Sequence, residues 1–365
     1  DVSIQAGGQL KNLSASTPTQ ARMTSANPDP ASLLKTGGGD VRITTGGDLE
    51  GGQYYADNGE LVIRSGGQVA SGQSISGKPL YTILALGDAQ AKVQARGNAD
   101  IQTVLNPHLV SQSTLNSSAS LFSTYTSTTG VDLGSLTGNV TLHNNAANTA
   151  ALRDVYRTPL NLTQRTGYTP RILTYLPPNL SATAFQGGVR LDGVSPVMQP
   201  SPTGKLSLLA AQSVEFPGKL NLLDMDPALV RNPILPGPDS TTDGFFPSST
   251  KGDAHATKLV HIGDKIPVRI YAVEGDIDGR SSSRIFNLTS AKFVDIRAGR
   301  DIIDFGVDIQ HANPDDISSI RAGRDILYVP SGTSRQGGTG IFVGGTGRLD
   351  VTAGRNIDLG VSAGI

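Results

Sequence analysis

The 365-residue sequence contains no cysteine and no tryptophan, and only nine phenylalanines and nine tyrosines. The lack of cysteine excludes disulfides, thiol catalysis and thiolate metal sites, and is compatible with export through an oxidising compartment. No apolar run approaches the roughly 18 to 20 residues that a membrane-spanning helix needs, so no membrane insertion is predicted. The scarcity of aromatic residues favours a core of stacked Val, Ile and Leu.

The charge of the chain is almost balanced, because 30 Lys and Arg residues accompany 31 Asp and Glu residues. No global field attracts such a chain to nucleic acid or to an anionic membrane, and nucleic-acid binding is not predicted. The 44 glycines and 21 prolines fall below the share typical of a disordered low-complexity chain. A folded body is therefore expected.

A short sequence unit returns along the chain, and Val294 to Ile302 (VDIRAGRDI) shows it most clearly. Two apolar residues two positions apart face the same side of a strand, a small residue and glycine permit a bend, and an aliphatic residue follows a polar pair. Nine copies are recognisable, at Val2 to Leu10, Val41 to Leu49, Leu61 to Val69, Val93 to Ile101, Leu206 to Val214, Val268 to Ile277, Val294 to Ile302, Ser318 to Ile326 and Leu349 to Ile357. The tightest spacings between copies, 20 and 24 residues, are typical of solenoids.

This repeat predicts an all-β fold, a parallel β-helix (β-solenoid) in which each coil contains a strand, a corner of small residues and a second strand. The apolar period of two residues, the frequent Val, Ile and Thr, and the glycine in nearly every copy argue against helices. A flat antiparallel sandwich is the alternative, but it gives no reason for one unit to recur in the same order. The chain begins and ends inside such units, which predicts a piece of a longer polypeptide.

Coils and excursions divide the chain into five predicted regions. Coils are expected at 1–105, 205–223 and 266–365, a Ser/Thr/Pro-rich irregular excursion with partial coils at 106–204, and a Pro-rich excursion at 224–265. Within the first excursion, Gly138 to Leu142 (GNVTL) indicates that the coil pattern resumes. A surface loop is expected from Thr17 to Lys35.

Long loops without their own secondary structure are often functional, so both excursions invite a binding hypothesis. Aromatic rings on projecting loops can stack on sugars or anchor a protein partner. The candidate binding residues are therefore Tyr168, Tyr175, Phe245 and Phe246. The alternative is that the excursions form lids and that these rings are packed inward against the shaft.

Stacking places equivalent residues of successive coils above one another, about 4.8 Å apart, so interior Val and Ile are expected to form aliphatic ladders. At the corner, Arg and Asp or Asn also recur in equivalent positions, at Arg300, Arg324 and Arg355 and at Asp301, Asp325 and Asn356. We therefore expect each Arg to pair with an Asp of the adjacent coil. Such pairs would keep the corner soluble and in register.

Several segments carry a family resemblance: AGRDI at Ala298 to Ile302 and at Ala322 to Ile326, AGRNI at Ala353 to Ile357, IQHANPDD at Ile309 to Asp316 and LDMDPAL at Leu223 to Leu229. They resemble filamentous-haemagglutinin-family exoproteins, very large proteins of Gram-negative bacteria that are exported by two-partner secretion. The resemblance covers roughly the whole chain, is strongest from Lys205 to the end and is weakest from Asn106 to Pro202.

The resemblance implies a right-handed parallel β-helix, a secreted or cell-surface location, and a role in adhesion or cell-cell contact. The partner would be an unidentified glycan or protein of a host or bacterial cell surface. The family's amino-terminal export region has no obvious match, so the outer-membrane transporter would act elsewhere in the parent chain, and no toxin end is recognisable. The chain therefore resembles an internal or carboxy-proximal shaft segment.

Parallel β-helices also include polysaccharide lyases and glycosidases, so acidic residues bear on an enzymatic alternative. Asp301, Asp304 and Asp308 are close in sequence, and two carboxylates about 5 to 9.5 Å apart would suit glycoside hydrolysis. Because Asp301 belongs to the repeated corner, a structural role is favoured and no catalytic residue is assigned. We predict that the chain is not an enzyme; a carbohydrate-active enzyme and a purely structural spacer are the alternatives.

No metal site or cofactor is predicted. Gly275 to Gly279 (GDIDG) lacks the spaced oxygen ligands of a calcium loop. No zinc-ligand spacing links the five histidines, His108, His143, His255, His261 and His311. Six Asn-x-Ser/Thr sequons occur, at Asn12, Asn116, Asn139, Asn161, Asn179 and Asn287. A Ser/Thr-rich sequence generates such sequons by composition alone, and we expect no glycan on recombinant material.

Overall fold

The computed structural model describes residues 1–23, 33–107, 110–111, 124–144, 172–173, 176–193, 197–227, 257–280, 286–328, 340–360 and 362–365. These residues form a parallel β-helix, which confirms the predicted fold class. One turn of the helix, here called a rung, runs through a first, a second and a third face, and the described residues contribute to eleven rungs. No helix in this part of the chain has the length and apolarity to cross a bilayer.

The first face consists of eleven parallel strands that pair in chain order. Their bounds are Val2–Ala6, Val41–Thr45, Gly52–Ser65, Thr82–Ala95, Gly130–Ser135, Asn179–Ala184, Lys205–Ala210, Val268–Ala272, Val294–Ala298, Ile317–Ala322 and Arg348–Ala353. Two of these strands are 14 residues long and also contribute to the third face. In Gly52–Ser65, for example, Tyr54 pairs with Ala15 on the third face, and Leu61 pairs with Val41 on the first.

The second face consists of eleven shorter parallel strands. They are Leu10–Lys11, Leu49–Glu50, Val69–Ala70, Ala99–Ile101, Val140–Leu142, Val189–Leu191, Val214–Glu215, Ile277–Asp278, Ile302–Ile303, Ile326–Leu327 and Ile357–Asp358. The third face includes the shorter strands Ala15–Thr17, Thr103–Pro107, Val197–Met198, Leu220–Leu222, Leu288–Ser290, Val307–Gln310 and Ile341–Gly344.

The core consists of aliphatic ladders, as the repeat predicted. Because side chains alternate along a strand, every second residue points inward and stacks on its equivalents in the neighbouring rungs, as in the buried-exposed alternation of Val41–Thr45. One ladder on the first face runs through Ile43, Ile63, Val93, Leu133, Ala182, Leu208, Ile270, Ile296 and Ile320, which are at most 2% exposed. Its equivalents in the terminal rungs, Ile4 and Val351, are half-buried because each has a neighbouring rung on one side only.

Eight of the nine sequence copies lie in the predicted mutual register, for example Ile270 opposite Ile296 and Ile296 opposite Ile320. The copy at Val93 to Ile101 was aligned two residues out of register, because Ala91 pairs with Leu61 and Val93 with Ile63. Two rungs that the sequence reading did not recognise as full copies lie inside the predicted excursion 106–204. Their first-face strands are Gly130–Ser135 and Asn179–Ala184. The resumption of the coil predicted at Gly138 to Leu142 is confirmed by the strand Val140–Leu142.

The loop predicted from Thr17 to Lys35 was wrong in part, because strands Thr19–Met23 and Leu33–Gly37 pair antiparallel there as a hairpin. A second, smaller hairpin pairs Gly72–Gln73 with Pro79–Leu80. Two further short strands pair with strands already described. Val110–Ser111 pairs parallel with Thr19–Met23, and Ile172–Leu173 pairs antiparallel with Thr103–Pro107. These pairings lie beside the rungs rather than within them.

The three corners of the helix differ in how much chain they accommodate. The first corner, between the first and second faces, contains three or four residues in every rung, as between Ala298 and Ile302. Long connections occur at the other two corners: 223–267 between the third and first faces, and 328–340 between the second and third. The first corner is therefore a continuous edge along all eleven rungs.

Candidate functional site: the first corner

Glycine begins the first corner in six rungs, and in the five of them that follow another rung the preceding rung leaves no room for a side chain. The glycines are Gly7, Gly46, Gly66, Gly299, Gly323 and Gly354. A Cβ at Gly323 would lie 2.1 Å from the carbonyl oxygen of Gly299, and one at Gly354 would lie 2.2 Å from that of Gly323. Each corner amide also donates to the preceding rung, as from Gly323 to the carbonyl of Ala298 at 2.9 Å.

A ladder of carboxylates and amides closes the corner immediately before the second-face strand. Asp276 Oδ1 accepts the backbone N–H of Asp301 at 2.9 Å, and Asp301 Oδ1 accepts that of Asp325 at 3.0 Å. Asp325 Oδ1 then accepts the N–H of Asn356 at 3.0 Å. The aspartates therefore satisfy backbone donors of the following rung.

The predicted pairing of corner arginines with aspartates of the adjacent coil is confirmed. Arg324 pairs with Asp301 and Arg355 with Asp325, while Arg300 Nε lies 3.4 Å from Asp276 Oδ1. The hydrogen bond from Arg324 lowers the pKa of Asp301, in spite of an opposing effect of burial. Asp301 is thus held ionised by two structural partners.

In rungs five to eight the first residue of the first corner is apolar and has a side chain. The position that is held by glycine in rungs one to three and nine to eleven, and by Arg96 in rung four, holds an apolar residue in four successive rungs, here called the apolar row: Leu136, Phe185, Ala211 and Val273. Leu136 is 52% exposed, Phe185 65% and Val273 60%. Rungs are about 4.8 Å apart, so the row extends over about 14 Å. This exposed apolar row, on an edge with no long connection, is therefore the candidate interaction surface.

A polar groove lies beside the apolar row on the side of the second face. Exposed amide side chains line it, from Asn98, Asn139, Gln186 and Gln212. Two of them are held in place, because Asn98 Oδ1 accepts the N–H of Asn139 and Asn139 Oδ1 accepts that of Gly188, both at 2.8 Å.

Charges in the groove are paired. Arg190 forms ion pairs with Glu215 and, at 3.3 Å, with Asp192. Asp192 also contacts His143, whose Nδ1 lies 2.9 Å from Asp192 Oδ1 and whose Nε2 lies 3.0 Å from Asp100 Oδ1. The hydrogen bond with Asp100 raises the pKa of His143, against the effect of partial burial, and the charge of Asp192 raises it further. Both ring nitrogens are occupied, so His143 is held as a bridge between carboxylates rather than as a free base.

The four predicted binding residues, Tyr168, Tyr175, Phe245 and Phe246, lie outside the described residues. The acidic residues of the enzymatic alternative are dispersed between faces: Asp301 belongs to the corner ladder, whereas Asp308 lies in the third-face strand Val307–Gln310. The glycine-rich GDIDG segment is likewise structural, because Asp276 belongs to the ladder and Asp278 pairs with Arg280.

The remaining described histidines are buried in structural contacts. His261 Nδ1 lies 3.2 Å from Asp264 Oδ2, and His311 Nε2 lies 2.7 Å from Ser318 Oγ. Ser318 is fully buried, so this Ser-His contact is closed to a substrate. Within the ranges given above, no group of three or more His, Asp or Glu side chains could hold a metal ion.

The apolar row was missed because its first two rungs, 130–142 and 179–191, were not aligned with the other copies. Once they are aligned, Leu136 and Phe185 stand where glycine stands in other rungs, and this substitution is the signal that sequence reasoning could have used. In comparisons with known proteins, no family model, no curated protein and no solved structure matches the chain.

Proposed function

We propose that this chain is a rigid β-helical shaft segment of a large secreted or surface-displayed bacterial exoprotein, and that it acts in adhesion or cell-cell contact. The observation that carries the proposal is the juxtaposition of the apolar row with the polar groove on the uninterrupted first corner. The contact would be made by the shaft itself, with a cell-surface carbohydrate chain as the partner.

The chemistry of the corner suits a neutral glycan. The faces of sugar rings are apolar and pack on aromatic or aliphatic side chains, as Phe185, Leu136 and Val273 offer. Sugar hydroxyls are donors and acceptors, and amides such as those of Asn139 and Gln186 supply both. The paired charges of Arg190 and Glu215 leave no single sign of charge to select an acidic polymer.

The structural supports of the corner explain why a shaft could bind along its length. The ladder of glycines and aspartates fixes each rung relative to the next, so the side chains of the row are held in one arrangement. Little conformational entropy is then lost when a ligand binds. Rungs nine to eleven carry glycine and paired charges at the same corner. Those rungs support a spacer role, and binding is assigned to rungs five to eight.

A panel of bacterial and host polysaccharides on a glycan array tests the proposal. The wild-type chain should bind at least one glycan without releasing product, and Phe185→Ala should weaken that binding roughly fivefold or more, because a central aromatic contact contributes more than about 1 kcal/mol. Ile75→Ala is the matched control, since Ile75 is fully exposed but lies on the small hairpin between Gln73 and Pro79.

The other readings predict different outcomes. Product release would favour a carbohydrate-active enzyme. Binding to cells with no signal on any glycan, abolished by Phe185→Ala, would favour a protein partner on the same corner. Absence of binding to glycans and cells would leave a purely structural spacer and contradict the proposal.

A further inference from the structure

Three ionisable side chains are buried together at the third corner, between the third and first faces. They are His261, Asp264 and Lys292, which are 3%, 7% and 1% exposed. Asp264 precedes the first-face strand Val268–Ala272 of rung eight, and Lys292 precedes Val294–Ala298 of rung nine. The long connection between Leu222 and Val268 rejoins the β-helix here. The cluster therefore attaches the end of this connection to the β-helix.

The geometry joins the amine directly to the carboxyl group. Lys292 Nζ lies 2.7 Å from Asp264 Oδ2 and donates to the carbonyl of Gly204, on rung seven, at 2.5 Å. Asp264 Oδ1 accepts the backbone N–H of Ile266 at 2.9 Å. His261 Nδ1 lies 3.2 Å from the other oxygen, Oδ2. The two carboxyl oxygens therefore have different environments, one held by an amide donor and one by the imidazole and the amine.

We propose that Lys292 and Asp264 form an intramolecular isopeptide bond, a side-chain amide that links rungs eight and nine covalently. This inference is independent of the glycan-binding proposal. In a chain without cysteine it supplies a covalent tie that a disulfide cannot provide. It would fix the returning end of the 223–267 connection to the shaft.

Proton transfer within the pair gives the reactive form. Burial lowers the pKa of Lys292, which favours the uncharged amine. Burial alone would raise the pKa of Asp264, but hydrogen bonds from Lys292 and from the Ile266 N–H outweigh it and lower that pKa, so the ion pair is the resting form. Transfer of one proton from Nζ to Oδ2 converts it to a neutral amine and a neutral carboxylic acid, which an apolar interior tolerates better than two charges.

The condensation then needs no co-reactant. The Nζ lone pair attacks the carboxyl carbon of Asp264, and negative charge develops on Oδ1, where the N–H of Ile266 stabilises it. A C–N bond forms, the bond from carbon to Oδ2 breaks, and Oδ2 leaves as water after taking a proton from the attacking nitrogen. Burial lowers the pKa of His261, and the charge of Lys292 lowers it further, so a neutral imidazole beside Oδ2 can relay that proton.

Mass spectrometry of the purified, denatured chain tests this inference. The expected intact mass is lower than the sequence mass by one water molecule. After trypsin digestion, residues 259–265 should be recovered covalently joined to residues 285–297, because a modified Lys292 is not a trypsin site. A chain of full sequence mass, with free 259–265 and 285–292 peptides, overturns the proposal without affecting the glycan-binding proposal.

Matched variants separate the chemistry from folding. Lys292→Arg keeps the positive charge and hydrogen-bond donors but should show the full sequence mass, since a guanidinium does not form this amide. His261→Gln should slow cross-linking roughly a hundredfold, as expected for loss of a proton relay. A loss of one water that persists in Lys292→Arg would place the modification elsewhere and contradict the assignment. The wild-type mass is decisive even if a variant fails to fold.

Discussion

Asp301 accepts the backbone N–H of Asp325 on the next rung at 3.0 Å, while the same carboxylate is paired with Arg324. Asp301 is only 7% exposed at the corner, and both of its partners come from the following rung. One carboxylate therefore satisfies a backbone donor and neutralises a neighbouring cation. The repetition of this arrangement at Asp325 makes it a property of the corner rather than of one site.

Asp301→Ala is expected to destabilise the chain by about 1 to 3 kcal/mol, because it leaves the buried N–H of Asp325 without an acceptor. Asp301→Asn keeps an acceptor for this N–H and should lower the free energy of unfolding by less. Arg324→Ala removes only the exposed half of the ion pair and should change stability least. Urea denaturation of the three variants measures the order, and a larger loss for Arg324→Ala than for Asp301→Ala would contradict it.

Gly323→Ala should destabilise the chain by about 1 to 3 kcal/mol, because the new Cβ would lie 2.1 Å from the carbonyl oxygen of Gly299 and rungs nine and ten would have to separate locally. Gly7→Ala is the matched control. It changes the equivalent corner residue of the first rung, where a Cβ meets nothing within 4 Å. Thermal unfolding of both variants compares them, and equal shifts in midpoint would show that the clash is not the cause.

Much of this fold follows from local sequence, because a rung is specified by a few positions. The apolar alternation of the repeat predicts the burial of Val294, Ile296 and Ile302. The recurrence of Arg and Asp at the corner predicts the pairing of Arg324 with Asp301. Stacking brings equivalent residues together whatever the length of the connection between them. The prediction therefore succeeds wherever the copy is recognised in its register, which excludes the weak copy at Val93 to Ile101.

Other features depend on contacts that no repeat encodes. Lys292 and Asp264 meet because the 223–267 connection returns to the third corner, and nothing in the sequence fixes where that return lies. The hairpin of Thr19–Met23 and Leu33–Gly37 was missed because its strands show no apolar alternation and lie beside the rungs. The apolar row required the alignment of two rungs in which Leu136 and Phe185 replace the glycine that marks the corner.

His143 should give the stability of the chain a pH dependence that its removal reduces. Its pKa is raised in the folded state from the ordinary 6.5, chiefly by the hydrogen bond with Asp100. The stabilising contribution is therefore fully present below 6.5 and is lost as pH rises through the folded-state pKa. Thermal unfolding at several pH values should show a difference between wild type and His143→Gln that is larger in acid than in alkali.

Asp100→Asn provides the control for this effect. It removes the largest cause of the raised pKa of His143 and keeps the His143 imidazole. It should reduce the pH dependence while leaving Asp192 and its contact with Arg190 in place. A difference between wild type and His143→Gln that does not vary with pH would show that the histidine bridges its two carboxylates without a change in protonation.

Asn287 joins three rungs at the second corner, and its replacement should be among the most damaging single changes. It is 1% exposed; Nδ2 donates to the carbonyls of Phe216 and Gly279 at 2.7 and 2.8 Å, and Oδ1 accepts the N–H of Gly306 at 2.9 Å. Asn287→Asp should destabilise the chain by about 3 kcal/mol or more, because a buried carboxylate would face two carbonyl oxygens.

The control for this change is Asn139→Asp, at an exposed asparagine whose Oδ1 accepts the N–H of Gly188, a bond that aspartate keeps. It should alter stability by less than about 0.5 kcal/mol. Asn287 also heads a sequon, and its Nδ2 is committed to two carbonyls, so a glycan at this position is incompatible with the folded rung. Urea denaturation of both variants measures the contrast, and comparable losses for the two would mean that burial of Asn287 does not determine its contribution.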